Sequence, residues 1–187
     1  MSKDGRLPPG QYTVRDFPVL HVGAVPQFDP QRWRFRIFGE VDAPRELTWS
    51  EFTALPGKSV KTDIHCVTRW TKYDTNWFGV PFAEIVKLAK PRPGVNFVIT
   101  HGAHGYTANV SLSAASDDDV LFAYQYEGKP LEPIHGGPMR MFIPKRYFWK
   151  STKWCDGVEF SREDKPGFWE TRGYNNDADP WKEERYW

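Results

Sequence analysis

DIHCVTRW (residues 63–70) closes a run, SVKTDIHCV, that reads as a strand entering a core, and it sets one of the chain's two cysteines directly after a histidine. A buried cysteine is ordinarily a small hydrophobe, and Cys155, on the strand KWCDGVEF, is read that way. Cys66 has different neighbours. His65, Thr68 and Arg69 gather hydrogen-bonding and cationic groups around it, and nearby positive charge favours the thiolate. A thiolate is a nucleophile or a soft-metal ligand. The five histidines, at 21, 65, 101, 104 and 135, form no protease signature around it, and His101 and His104 in HGAHGY do not join it in the paired spacing of a zinc site.

Working outward, RWRFRIFGEV alternates Trp33, Phe35 and Ile37 with arginines, a period-two pattern of a strand with one wet face. Thr48 or Ser50 caps a short helix carrying Trp49, Phe52 and Leu55, closed by Pro56 and Gly57. VPFAEIVKLAK, with apolar residues at 82, 85, 86 and 89, is the best helix in the chain. VNFVIT and GYTANVSL are strands, Ser113 to Asp119 is a helical turn or loop with solvated aspartates, and LFAYQYEGKPL holds an EGK turn. MRMFIPKRYFW and STKWCDGVEF are further strand candidates. Short strands, few helices and frequent Pro and Gly read as a loop-rich, mainly β domain. We expect one domain over 1–187, with 1–31 an extended arm and 161–187 a second arm packed on the site.

Composition narrows the function classes. With 25 Lys plus Arg against 24 Asp plus Glu, the net charge of +1 gives no global field for nucleic acid or an anionic membrane. No run approaches a membrane span, and MSKDGRLPPGQY has neither an apolar leader core nor twin arginines, so a cytoplasmic location is expected. Nine Trp, eight Tyr and thirteen Phe suit deep aromatic-walled pockets.

A local anion site is suggested by EPIHGGPMRMFIPKRYFWKSTKW (132–154), where His135, two glycines and a proline precede Arg140, and Ser151, Thr152 and Lys153 follow. Arginine's planar fork suits phosphate, and the hydroxyls and ammonium add donors. The competing reading pairs Arg140 and Lys153 with acids such as Asp156 and Glu159. The polar, aromatic tail KPGFWETRGYNNDADPWKEERYW suggests an arm lying in a cleft, with Tyr174 within reach of a site.

Taken together, DIHCVTRW, HGGPMRMFIPKRYFWKSTKW and PGFWETRGY followed by DPW resemble the sulfite-oxidase-type molybdenum oxidoreductases, closest to their small single-domain "sulfite oxidase-like" members, from about Phe17 onward. The family includes sulfite oxidases, plant nitrate reductase and the catalytic subunit of the periplasmic methionine sulfoxide reductase. The resemblance implies an α+β fold, the sulfite-oxidase-type molybdopterin-binding fold of mixed sheets with short helices and long loops, and a Mo-molybdopterin cofactor, with Cys66 as the one protein ligand to the metal. It implies His135, Arg140, Ser151, Thr152 and Lys153 as contacts to the pterin and its phosphate, with His21 and Thr100 or His101 as further cofactor contacts. Tyr174 matches the active-site tyrosine, and Arg69 is a candidate for charge beside the pocket. The implied reaction is oxygen-atom transfer on a small sulfur- or nitrogen-containing substrate, such as sulfite, an S-oxide or an N-oxide. A separate cytochrome, flavoprotein or quinone-linked partner would carry electrons.

The chain departs from the sulfite oxidases in the arm, where VLHVG has no arginine, and from the methionine sulfoxide reductases after the cysteine, where Thr68 stands in place of an acid. A non-enzymatic molybdopterin carrier and an aromatic-rich carbohydrate- or peptide-binding module are the readings from other classes.

Overall fold

The computed structural model describes residues 5–187. Its strands are β1 (Tyr12–Thr13), β2 (Arg34–Gly39), β3 (Arg45–Thr48), β4 (Lys58–His65), β5 (Trp70–Pro81), β6 (Phe97–Gly102), β7 (Thr107–Ser111), β8 (Leu121–Tyr126), β9 (Lys129–Pro130), β10 (Arg140–Phe142) and β11 (Cys155–Ser161). Three short helices join them: α1 (Trp49–Thr53), α2 (Phe82–Ala89) and α3 (Leu112–Ala115). One sheet runs β1-β5-β8-β10, with β4 also on β5 and β9 on β8. The other runs β3-β2-β11-β6-β7. β11 is parallel to β2 and antiparallel to β6, so the sheet is mixed.

The alternation in β2 sends Phe35 and Ile37 into a core shared by both sheets, where they meet Val80 of β5, Phe122 of β8, Met141 of β10 and Val158 of β11. Phe35 packs edge-on to Phe122 across the sheets at 4.9 Å and to Phe52 of α1 at 5.0 Å. Fully burying one such ring is worth about 1.5–3 kcal/mol, which is why two sheets and a five-residue helix hold together. α1 starts with a reciprocal cap between Thr48 and Glu51. α2 ends where Lys90 turns left-handed at φ 51.

Differences from the sequence expectation have local causes. β5, the longest strand, is absent from that reading because its wet face carries Lys72 and Asp74 and its period is broken. Opposite Asp63, β5 spends two residues, Tyr73 and Asp74, where β4 spends one. This is a bulge, pinned by the Asp74 N–H donating to the Asp63 carboxylate at 2.9 Å. The strand expected over MRMFIPKRYFW stops at Phe142, since Pro144 has no N–H to offer a ladder. The strand expected from Ser151 starts only at Cys155, leaving Ser151–Trp154 as a loop.

Candidate active site

The turn between β4 and β5 places Cys66. The Cys66 N–H donates to the Trp70 carbonyl at 2.9 Å, the Arg69 N–H donates to the Cys66 carbonyl at 3.0 Å, and Arg69 closes the turn at φ 77. Gln11, from the amino-terminal arm, donates to the same Cys66 carbonyl at 3.0 Å. The result is a fixed thiol, 6% exposed, on the wall of a cavity of about 320 Å³. Thr68 donates its hydroxyl to the Cys66 Sγ at 3.1 Å.

Facing the thiol is the loop after β10. Met141 N–H donates to the Thr152 carbonyl and Ile143 N–H to the Ser151 hydroxyl, both at 2.9 Å, laying Ser151–Lys153 along β10. Arg140 is buried, and its guanidinium donates to the carbonyls of His135 at 2.8 Å and Ser151 at 2.6 Å while lying 4.0 Å over the Phe148 ring. Its Nε is buried without a partner. Lys153 donates to the Ile134 carbonyl at 2.7 Å. Among the described residues neither cation has a carboxylate partner. Asp156 pairs with Arg36, and Glu159 with His101 and Lys165.

Electrostatics follow from that imbalance. Burial lowers the Arg140 pKa to about 9 and, with the repulsion of Arg140 added, the Lys153 pKa to about 7. The charge of a Cys66 thiolate opposes both shifts. Burial also pushes the Cys66 thiol up, against the hydrogen bond from Thr68 and the field of Arg140. The pocket is thus a largely apolar hollow with one sulfur and two cations that have no carboxylate among the described residues.

Aromatic rings form the remaining walls. From the tail come Trp169 and Tyr174, packed at 4.8 Å, with Tyr174 edge-on to Trp149 at 5.0 Å. Burial raises the Tyr174 pKa, so its phenol stays protonated. Among the described residues the Tyr174 hydroxyl has no hydrogen-bond partner, whereas Tyr106, also on the wall, spends its hydroxyl on the Trp149 carbonyl at 2.6 Å. A buried ion pair anchors this part of the tail: Lys150 and Glu170 meet at 2.6 Å, and Trp149 Nε1 donates to the same carboxylate at 2.9 Å. From the arm come Phe17 and His21, His21 lying edge-on to Trp154 at 5.3 Å.

Of the residues singled out from sequence, Cys66, Thr68, Tyr174, His21, Arg140, Ser151 and Lys153 line this one cavity. The others do not. Arg69 is exposed on the turn, held there by its left-handed backbone. Thr100 and Thr152 are buried behind the wall, bonded to each other through their hydroxyls at 2.6 Å. His101 is taken by Glu159 at 3.1 Å. His135 stacks flat on Phe17 at 3.8 Å and borders a neighbouring hollow, with burial lowering its pKa to about 4 and leaving its ring neutral. Glycine 136 serves the protein itself: at φ 106, a Cβ there would lie 2.9 Å from the Lys153 side chain. Tyr106, Trp149, Trp154 and Trp169 also line the wall, and of these only Trp169 has a sequence signal, the aromatic tail that carries it.

Residues 22–169 match the family described as "Oxidoreductase molybdopterin binding domain". The chain belongs to the molybdopterin-binding oxidoreductases. It is 41% identical over 186 residues to an uncharacterized oxidoreductase of Bacillus subtilis, YuiH, covering 99% of this chain and 94% of that one. It is 27% identical over 173 residues to the protein-methionine-sulfoxide reductase catalytic subunit MsrP of Campylobacter jejuni, covering 80% of this chain and 56% of that one. Its fold is similar to that of the sulfane dehydrogenase SoxCD of Paracoccus pantotrophus, with a TM-score of 0.71 at 19% identity, over 78% of this chain and 42% of that one.

The cavity fits the family's cofactor. Among the described residues no group of three His, Cys, Asp or Glu side chains could hold a metal by itself, so the lone thiol suits a metal that arrives with sulfur ligands of its own. The buried guanidinium with an orphaned N–H and the ammonium of Lys153 suit an anionic, hydrogen-bonding group beside that sulfur. Among the described residues no helix is long and apolar enough to cross a membrane.

Proposed function

We propose that this oxidoreductase transfers an oxygen atom between water and a small S-oxide, N-oxide or sulfite-like substrate at the cavity carrying Cys66, passing electrons to or from a separate cytochrome, flavoprotein or quinone-linked partner. Molybdenum-molybdopterin supplies two-electron oxygen-atom transfer when bound. The chain's own residues do the rest. Cys66 offers one soft sulfur, and the Thr68 hydroxyl donates to it, drawing electron density from the sulfur. Arg140 and Lys153 hold the anionic part of the pterin, and the Ser151 hydroxyl lies beside them. Tyr174 keeps its proton and, with its hydroxyl uncommitted, can donate a hydrogen bond to a substrate oxygen. Trp149, Trp154 and Trp169 exclude water, which strengthens each of these contacts.

The observation that carries the reading is one wall thiol facing two cations without a carboxylate. The MsrP relative acts on protein methionine sulfoxide by its name, which supports trying S-oxides first. The test is expression in a host that makes the cofactor, followed by metal analysis, pterin fluorescence after acid oxidation, and redox assays with sulfite, sulfoxides and N-oxides. Stoichiometric molybdenum with turnover of one substrate class is the expected result. Protein without molybdenum or pterin overturns the assignment, and metal that never changes oxidation state makes the chain a carrier.

A further inference from the structure

The turn bearing Cys66 has a second attachment, far away in sequence. Arg185 is 6% exposed and donates from Nη1 to the Val67 carbonyl at 2.6 Å, across 118 residues. Its Nη2 donates to the Pro9 carbonyl at 3.4 Å, and its guanidinium lies 4.9 Å over the Tyr147 ring. The nearest acid, Glu183, meets only Nε, at 3.4 Å, from an exposed position. The backbone around Arg185 is tied as well: its carbonyl accepts from Asn175 N–H at 3.1 Å, and Tyr186 forms a bridge with Tyr174. One residue of the tail thus grips the turn on one side and the segment carrying Tyr174 on the other.

The geometry points to Arg185 as a positioning residue for Cys66. A turn of four residues between two strands is fixed at its ends by the β4–β5 ladder, but the Val67 carbonyl at its crest has no ladder partner. A charge-assisted hydrogen bond from a buried guanidinium supplies one. With that bond in place, the thiol beside Val67 is held against the cavity, and the turn opens only when the tail lets go.

The two cysteines make the test self-calibrating. In the cofactor-free protein, labelling of Cys66 by a maleimide carried on a polymer too bulky to enter the cavity reads opening of the turn, while labelling of Cys155, fully buried in the core, reads global unfolding. Arg185→Met should raise the Cys66 labelling rate about tenfold with the Cys155 rate unchanged, and Arg185→Lys, which keeps a cationic donor, should raise it less. Equal acceleration at both cysteines in Arg185→Met and Arg185→Lys would mean that Arg185 only stabilises the whole fold, and no acceleration at Cys66 would mean that the turn stands by itself. Either result overturns the inference. Because the labelling needs no cofactor, a chain that fails to take up molybdenum would sink the proposed function and leave this result readable.

Discussion

Cys155 and Cys66 are both buried and both unpaired, and the regions around them are built on opposite plans. Cys155 lies in the inter-sheet core with aliphatic and aromatic side chains, its thiol pushed up to about 12 by burial and given no better partner than the Gly157 carbonyl at 3.6 Å. Cys66 lies at the edge of the second, aromatic cluster, where a hydroxyl donates to its sulfur and two cations lacking carboxylates face it. Burial alone therefore does not make a thiol a ligand. Donors aimed at the sulfur and nearby positive charge favour the thiolate that a metal ligand requires, and burial opposes it.

The sharpest way to break this contrast is to delete each sulfur. Cys66→Ala should reduce molybdenum content and activity to background while leaving the midpoint of thermal unfolding within a few degrees. Cys155→Ala should keep the metal and cost about 1–2 kcal/mol in urea unfolding for the small cavity it leaves. Metal retained by Cys66→Ala would end the distinction.

Next in size is the anchoring of the aromatic wall. Glu170→Ala removes the carboxylate that holds the Lys150 proton against burial and leaves only Asn109 as its acceptor, so unfolding in urea should show a loss of about 3–5 kcal/mol. A loss below about 1 kcal/mol would mean that the wall does not depend on that pair.

The cationic face gives a pH test. Lys153 has a lowered pKa in the fold, about 7, so between about 7 and its unfolded value the unfolded chain holds a proton that the native chain lacks. Its contribution to the stability of the cofactor-free protein therefore rises with pH across that window, and below about 7 the cost of the buried charge is felt in full. An anion reverses the preference, since it binds the protonated form. The stabilisation of the cofactor-free protein by added pyrophosphate should be greater at pH 6 than at pH 8, and Lys153→Met should flatten that difference.

The smallest expected effect is at Thr68. Thr68→Val removes one donor to the sulfur, which makes the thiolate a stronger ligand, so the metal's midpoint potential should fall in a redox titration followed by electron paramagnetic resonance. Thr68→Ser should hold the potential near its original value. An unchanged potential in Thr68→Val would show that the hydroxyl does not act on the metal.

Much of the fold was legible wherever a period ran unbroken. β2, α1 and α2 follow the alternation and capping written in RWRFRIF, TWSEF and PFAEIVKLA. β5 was not, because a bulge shifts its phase at Asp74, and a shifted phase looks like noise in a single sequence. At the site, Cys66, Arg140 and Lys153 could be found because their residue types are chemically distinctive. Arg69 and His101 have equally distinctive side chains and fall outside the cavity, since a left-handed turn and a partner on the adjacent strand decide where they sit. Arg185 was invisible for the same reason in reverse: its significance lies in a backbone carbonyl 118 residues away.

The amino-terminal arm has a consequence for how the protein is put together. Phe17, Pro18, Leu20, His21 and Val22 wall the cavity yet belong to no strand. The arm is tied to the body at Val14 and Arg15, and again where His104 meets the Ala24 carbonyl at 2.6 Å. Phe17 stacks on His135 and His21 lies edge-on to Trp154, so that stretch is fastened by ring contacts and by His104 rather than by a sheet ladder. Fastening by side chains alone makes this wall separable from the sheets: a change at Phe17 or His104 is felt at the cavity while both ladders stay whole.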